Sequence, residues 1–211
     1  MSLLSTTTTP TDAELEFDRQ VDCLALAGLP ALLDVKDECF RAMLEPLRDL
    51  LPSRRSRGGG VPFVVVVPDA PVGVLLGAVS TPGGCGGSPL SAGELAGFAA
   101  RPELDVPSVP YLLLDVELGE ATAGLPATEA EARVVAAGRT PLTLAEGVAV
   151  LLCDCGVRRA TPSFTLLGSR NEAGAHPVLV CGADGPVLTG AEAGTARDDL
   201  GAASCGGRRA R

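Results

Sequence analysis

The stretch PVLVCGADGPVLT, residues 177–189, is the clearest guide to the fold of this chain. Two short apolar runs, Pro177–Cys181 and Pro186–Thr189, flank Ala183-Asp184-Gly185. An Asp-Gly pair between apolar runs is typical of a tight β-hairpin, because both residues tolerate the left-handed backbone of such turns. The sequence therefore predicts an antiparallel hairpin in the C-terminal part of the chain.

Other apolar runs predict further strands. Val61–Val67 is short, continuous and rich in valine, which is typical of a central strand buried on both faces. Val109–Glu117 predicts a second central strand, and Phe164–Leu167 and Leu200–Cys205 predict shorter ones.

Helical signals dominate the first quarter of the chain. Residues 12–27 predict a helix, because Thr11 and Glu14 have the spacing of a capping box and Gly28 is a typical stop. A second helix should begin near Asp34 or Asp37, and Pro46 should kink or split it. Since helices come first and strands last, we expect an α+β fold, with N-terminal helices packed on a mixed sheet and an antiparallel C-terminal hairpin region.

Shorter helices are predicted between the strands. Ser91 and Glu94 open one, residues 126–137 form another, and Thr143 and Glu146 form a clear capping box for a third. With no internal repeat and no break in composition, the sequence predicts a disordered tail over residues 1–11, a single domain over 12–205 and a frayed tail over 206–211.

Composition and charge exclude several classes of partner. The chain of 211 residues has a formal net charge of −9, one tyrosine and no tryptophan. An acidic chain repels the phosphate backbone, and with only 3% aromatic residues this one has few side chains on which bases could stack, so we expect no nucleic-acid partner. Prolines and Asp69 interrupt the apolar segment 62–79, so we expect no membrane partner.

The cysteines indicate the compartment. There are seven, an odd number, and no secretory signal precedes them. We therefore expect reduced thiols and a cytoplasmic protein.

Signals for a metal or a cofactor are weak, and none is predicted. His176 is the single histidine, and Cys153 and Cys155 would point to opposite faces of a helix. Gly58–Gly60 precedes a predicted strand, whereas a phosphate-binding loop follows one. Gly83–Ser88 does precede a predicted helix, but it lacks the Gly-Lys-Ser/Thr ending of such a loop.

Four polar residues are the candidate ligand-binding residues. Asp115 and Glu117 lie two apart at the end of a predicted strand, which places both carboxylates on one face. Ser169 and Arg170 follow Gly168 in a predicted loop, where Arg170 could hold an anion. No residue is predicted to be catalytic.

Several stretches carry a family resemblance. They are FDRQVD at 17–22, PFVVVV at 62–67, YLLLDV at 111–116, GRTPLT at 138–143 followed by Glu146-Gly147, LGSR at 167–170 and LGAASCGGR at 200–208. In these the chain resembles an uncharacterised actinobacterial family, the domain of unknown function numbered 5701. The resemblance implies a cytosolic protein of unassigned activity and supplies no catalytic residue.

One segment departs from the family pattern. The family is rich in tryptophan just before its terminal motif, whereas residues 190–199 here contain no aromatic, thiol, amide or imidazole group. This departure predicts a solvated loop without a binding role.

Two hypotheses of different classes remain. The leading one is a non-catalytic cytosolic protein that acts by binding or association, with a second copy or another protein as its partner. The alternative is a small-molecule enzyme or ligand-binding protein with a site near Asp115, Glu117, Ser169 and Arg170. It requires that these four side chains converge in one pocket.

Overall fold

The computed structural model describes residues 11–52, 60–68, 70–81, 84–154, 163–182, 184–192 and 200–211. The predictions for the tail before residue 11, for the loop 53–59, for Cys155 and for residues 193–199 of the segment 190–199 lie outside the described residues. At the start of that segment the predicted loop is wrong, because Gly190 and Ala191 end a strand.

The described residues form seven α-helices, two 3₁₀ helices and thirteen mostly short strands. The α-helices are α1 Asp12–Leu26, α2 Leu29–Leu32, α3 Asp37–Leu44, α4 Val72–Ala78, α5 Ala92–Ala96, α6 Ala127–Ala136 and α7 Leu144–Asp154, and the 3₁₀ helices are Glu45–Leu50 and Glu120–Thr122. The strands are β1 Val61–Val66, β2 Ser80–Thr81, β3 Gly84–Cys85, β4 Ala99–Ala100, β5 Tyr111–Val116, β6 Thr140–Pro141, β7 Phe164–Thr165, β8 Ser169–Arg170, β9 His176–Gly182, β10 Gly185–Ala191, β11 Gly201–Ala202, β12 Ser204–Cys205 and β13 Gly207–Ala210.

The strands form several small sheets instead of one mixed sheet. A three-stranded antiparallel sheet has the order β1-β5-β13, and a four-stranded sheet has the order β10-β9-β7-β11 with β7 and β11 parallel. Two-stranded ladders join β12 to β6, β2 to β3 and β4 to β8. Helices α1 and α7 contact each other and β1. The fold is therefore α+β, as the order of elements predicted.

The predicted hairpin is confirmed. β9 and β10 pair antiparallel, with Gly182 opposite Gly185 at the turn. Gly185 has a φ of 102°, a conformation that favours glycine. The Asp-Gly signal therefore identified the turn correctly.

The predicted helix boundaries also hold. Thr11 and Glu14 form a capping box at α1, and Ser91 and Glu94 form one at α5. The second helix divides before Pro46: α3 ends at Leu44 and a 3₁₀ helix follows. Proline lacks the N–H that an α-helix needs, which explains the change of helix type.

The sequence predicted β1 to be a central strand buried on both faces, and the structure confirms the burial but not the central place in the sheet. Phe63 to Val66 are all buried, yet β1 lies at the edge of its sheet and β5 lies in the middle. The side chain of Gln20, from α1, covers that edge. Its Oε1 accepts a hydrogen bond from the Val65 N–H at 2.8 Å, and its Nε2 donates to the Phe63 carbonyl at 3.0 Å.

The prediction of a frayed tail over residues 206–211 is wrong. Gly207–Ala210 form β13, which pairs with β5 along its second edge. Without β13, the backbone groups on that edge of the buried strand β5 would lack partners, which is costly. The pairing is made by backbone hydrogen bonds, so the side-chain pattern of this polar segment did not predict a strand.

No helix in the described part of the chain is both long enough and apolar enough to cross a membrane.

Candidate functional site

A cleft of about 760 Å³ lies between α4, α5 and the first turn of α7. Its wall is mainly aliphatic, with Phe98 and Tyr111 as its aromatic residues. The lining consists of Pro68, Pro71, Val72, Gly73, Val74, Ala92, Leu95, Ala96, Phe98, Ala100, Val106, Tyr111, Thr143, Leu144, Ala145 and Ser169. None of these described lining residues is acidic, basic, histidine or cysteine.

The polar groups of the cleft gather at the start of α7. Thr143 Oγ1 accepts a hydrogen bond from the Glu146 N–H at 3.3 Å, and Ser169 Oγ accepts one from the Leu144 N–H at 2.9 Å. Both residues are almost fully buried, with 3% and 1% of their surface exposed. Within the described residues neither hydroxyl has an acceptor for its own O–H, so both donors remain available to the cleft.

Tyr111 joins the cleft to a charged group behind it. It is the first residue of β5, is fully buried, and its hydroxyl donates to Glu146 Oε1 at 2.9 Å. Burial, and then the neighbouring Glu146 carboxylate, raise the pKa of Tyr111 far above its usual range. Tyr111 is therefore a neutral hydrogen-bond donor at physiological pH.

Glu146 is the centre of this buried network. It has no exposed surface and lies in the first turn of α7. Its carboxylate accepts four hydrogen bonds, from Tyr111 Oη at 2.9 Å, the Thr143 N–H at 2.7 Å, Arg208 Nε at 2.6 Å and Arg208 Nη2 at 2.8 Å. We call Tyr111, Thr143, Glu146 and Arg208 the Glu146 network.

The sequence identified only part of this network. The spacing of Thr143 and Glu146 predicted a capping box, and the structure confirms it. Tyr111 and Arg208 lie 35 and 62 residues from Glu146, so no local pattern could link them. The one available signal is that all four residues belong to the stretches that carry the family resemblance.

Asp115 and Glu117 both lie beside Arg139, just after α6. Asp115 Oδ2 accepts a hydrogen bond from Arg139 Nη1 at 2.7 Å, and Glu117 forms a longer ion pair of 3.6 Å with Arg139 Nε. Arg139 also donates to Ser204 Oγ at 2.9 Å. These contacts give both carboxylates a structural partner and tie the end of β5 to β12.

Ser169 and Arg170 are neighbours on β8 but face different surroundings. Ser169 lines the cleft. Arg170 is exposed, pairs with Glu131 Oε2 at 2.9 Å, and lines a second, shallower depression of about 900 Å³. Of the four predicted residues, Ser169 alone is among the described lining residues of the cleft, and Arg170 alone is among those of the depression. The four side chains therefore do not converge in either of them.

The described residues contain no cluster of three or more His, Cys, Asp or Glu side chains that could hold a metal ion. His176 is buried, and burial together with the nearby Arg170 charge lowers its pKa. It lines a small void of about 10 Å³ apart from the cleft. Cys39 and Cys85 are exposed free thiols.

The chain matches the model of a protein family. A family model described as "Family of unknown function (DUF5701)" matches residues 23–210, which is nearly the whole chain. No curated protein and no solved structure is detectably similar to it.

Proposed function

This chain belongs to the DUF5701 family, whose function is unknown, and we propose a function from its own cleft. The protein binds a small, mainly apolar molecule in the cleft and holds an oxygen atom of that molecule at the start of α7. It acts by binding, without changing its ligand chemically.

The shape and lining of the cleft support a small-molecule ligand. Its volume of about 760 Å³ falls within the range of about 300–1,000 Å³ that is usual for small-molecule sites. Aliphatic and aromatic side chains dominate the wall, with a few polar groups in one place. This is the usual arrangement of a site in which apolar contact gives affinity and a few hydrogen bonds fix orientation.

The observation that carries the proposal is the pair of buried hydroxyls. Thr143 and Ser169 each accept a backbone N–H, and each keeps its own O–H proton for a further acceptor. The N–H of Ala145, in the first turn of α7, also has no acceptor within the described residues. Together with the positive end of the helix dipole, these donors favour a carbonyl or carboxylate oxygen.

The lining also supports binding over catalysis. General acid–base chemistry needs a group that titrates near the working pH, usually His, Glu, Asp or Lys. The only titratable side chain among the described lining residues is Tyr111, whose pKa is raised. Glu146 lies behind the wall, with both carboxylate oxygens bound by Arg208, and it does not line the cleft.

The test uses a side chain that blocks the cleft without disturbing the core. Val74 lines the cleft and is 52% exposed, so Val74→Trp should fill the mouth of the cleft and leave the fold intact. The matched control is Val135→Trp on α6, because Val135 is 60% exposed and does not line the cleft. The probe is dansyl-labelled undecanoic acid, whose emission rises in an apolar site.

We expect wild type and Val135→Trp to bind the probe, and Val74→Trp to bind it at least about tenfold more weakly. Decanoic acid and methyl decanoate should compete, because both present an accepting oxygen. Decylamine should not compete, because its ammonium group only donates hydrogen bonds. Equal binding by all three proteins, or competition by decylamine as strong as by the acid, would refute the proposal.

We also propose that the protein works in the cytoplasm. The odd number of cysteines supports this, as do Cys39 and Cys85, which are exposed and would readily oxidise in a secreted protein. Cell fractionation should recover the protein with the cytosolic markers, and recovery in the culture medium would contradict the proposal.

A further inference from the structure

We propose that Arg208 is a positioning residue of the cleft: it holds the Glu146 carboxylate, and Glu146 in turn fixes Tyr111 and Thr143 in the cleft wall. This inference rests on the proposed function, because it explains how the polar part of that site is kept in place. Arg208 itself does not line the cleft as the structure describes it.

The geometry of the ion pair carries the first step. Arg208 Nε donates to Glu146 Oε1 at 2.6 Å and Arg208 Nη2 donates to Glu146 Oε2 at 2.8 Å. This bidentate ion pair fixes the plane of the carboxylate. Only 6% of the Arg208 side chain and none of the Glu146 side chain is exposed. A buried carboxylate of this kind is stable only with a well-placed counter-charge, because removing one partner leaves an uncompensated charge in the interior.

The second step runs from Glu146 to the wall. Each carboxylate oxygen accepts one hydrogen bond from Arg208 and one from a residue that lines the cleft, with Tyr111 on Oε1 and the Thr143 N–H on Oε2. Turning the carboxylate would therefore break both contacts to the wall at once. By preventing this rotation of the carboxylate, Arg208 preserves the hydrogen bond that orients the Tyr111 ring and the one that caps the start of α7.

The third step concerns the other contacts of Arg208. Its Nη1 donates to Thr140 Oγ1 at 2.9 Å, and its Nη2 donates to the Pro141 carbonyl at 3.2 Å. These residues form β6, which ends two residues before Thr143. Strand β13, which carries Arg208, also pairs with β5, with Ala210 opposite Tyr111. Arg208 thus links β13 to β6 and, through Glu146, to the first turn of α7.

The experiment compares Arg208→Lys with Arg209→Ala. Lysine keeps the charge but cannot span both carboxylate oxygens. Arg209 is exposed, lies on the same strand and is the matched control. A third protein, Glu146→Leu with Arg208→Met, removes both charges, so it avoids a buried unpaired charge and should fold even if Arg208→Lys does not.

Two signals are read on each folded protein. The first is the emission of Tyr111, the only tyrosine in a chain without tryptophan, which a hydrogen bond to a carboxylate quenches. The second is the dissociation constant of dansyl-labelled undecanoic acid. We expect brighter tyrosine emission and at least about tenfold weaker probe binding in Arg208→Lys and in the double variant, and no change in Arg209→Ala.

The two signals separate the two proposals. Unchanged tyrosine emission and unchanged probe affinity in folded Arg208→Lys would overturn the positioning role, even if that variant melts earlier. The double variant lacks the Glu146 carboxylate, so there an unchanged probe affinity would overturn it. If wild type does not bind the probe, the proposed function fails, while the tyrosine signal still decides whether Arg208 positions Glu146 and Tyr111.

Discussion

Replacing Gln20 should show how much of the stability depends on the covered edge of β1. In Gln20→Ala, the Val65 N–H and the Phe63 carbonyl lose their side-chain partners. Both residues are buried, with 0% and 2% of their surface exposed, so water cannot replace Gln20 without opening the core. Each buried backbone group left without a partner costs about 1–3 kcal/mol, so the expected loss is about 2–6 kcal/mol.

That loss is large compared with a total stability of about 5–15 kcal/mol for a typical domain. For a chain of this length, each kcal/mol lowers the melting temperature by about 2–4 °C, so we expect a fall of about 4–24 °C. Urea denaturation gives the free energy of unfolding directly and should show the same order.

Two further variants separate hydrogen bonding from packing. Gln20→Met fills nearly the same volume without the amide, so it should lose almost as much stability as Gln20→Ala. Leu15→Ala, at an exposed position of the same helix, should stay within about 0.5 kcal/mol of wild type. A loss below about 1 kcal/mol in Gln20→Met would show that the edge of β1 does not depend on the amide, and the reasoning would be wrong.

Two other predictions concern protonation and thiols. Burial lowers the pKa of His176, so at acidic pH the folded protein binds fewer protons there than the unfolded chain does. The free energy of unfolding should therefore be unaffected above about pH 6.5, and as the pH is lowered from there it should decrease by up to about 1.4 kcal/mol per pH unit. Urea denaturation between pH 7.5 and 5 should show this slope in wild type and not in His176→Gln, and equal slopes would contradict it. Thiol titration of denatured, unreduced protein from fresh cells should find about seven thiols per chain, as counted in the sequence, whereas one or three would indicate disulfides.

The structural features that the sequence predicted correctly are those set by residues close together in the chain. Capping boxes such as Thr11 with Glu14 need only three residues of spacing, so they were found without knowledge of the rest of the fold. The turn before Gly185 is local in the same sense. Strand β13 is different: its partner β5 lies about a hundred residues earlier, and the segment has no apolar alternation to announce a strand.

The candidate site shows the same division between local and distant information. The two-residue spacing of Asp115 and Glu117 does bring both carboxylates to Arg139, even though Asp115 has a φ of 51° and so departs from strand geometry. Their spacing gave no sign of this arginine. For Glu146 the sequence predicted the contact with Thr143, three residues away, and not those with Tyr111 and Arg208. A single sequence does not reveal which distant side chains will meet.

The distance along the chain between Glu146 and Arg208 has a consequence for biosynthesis. A ribosome must add 62 more residues after Glu146 before Arg208 exists, which takes about 3–12 s at about 5–20 residues per second. During that interval the nascent chain holds a carboxylate without its counter-ion and a strand β5 without its second neighbour. Slow translation over residues 147–208 would therefore prolong a state that is open to aggregation or chaperone capture, so synonymous codons in that region should affect the yield of folded protein.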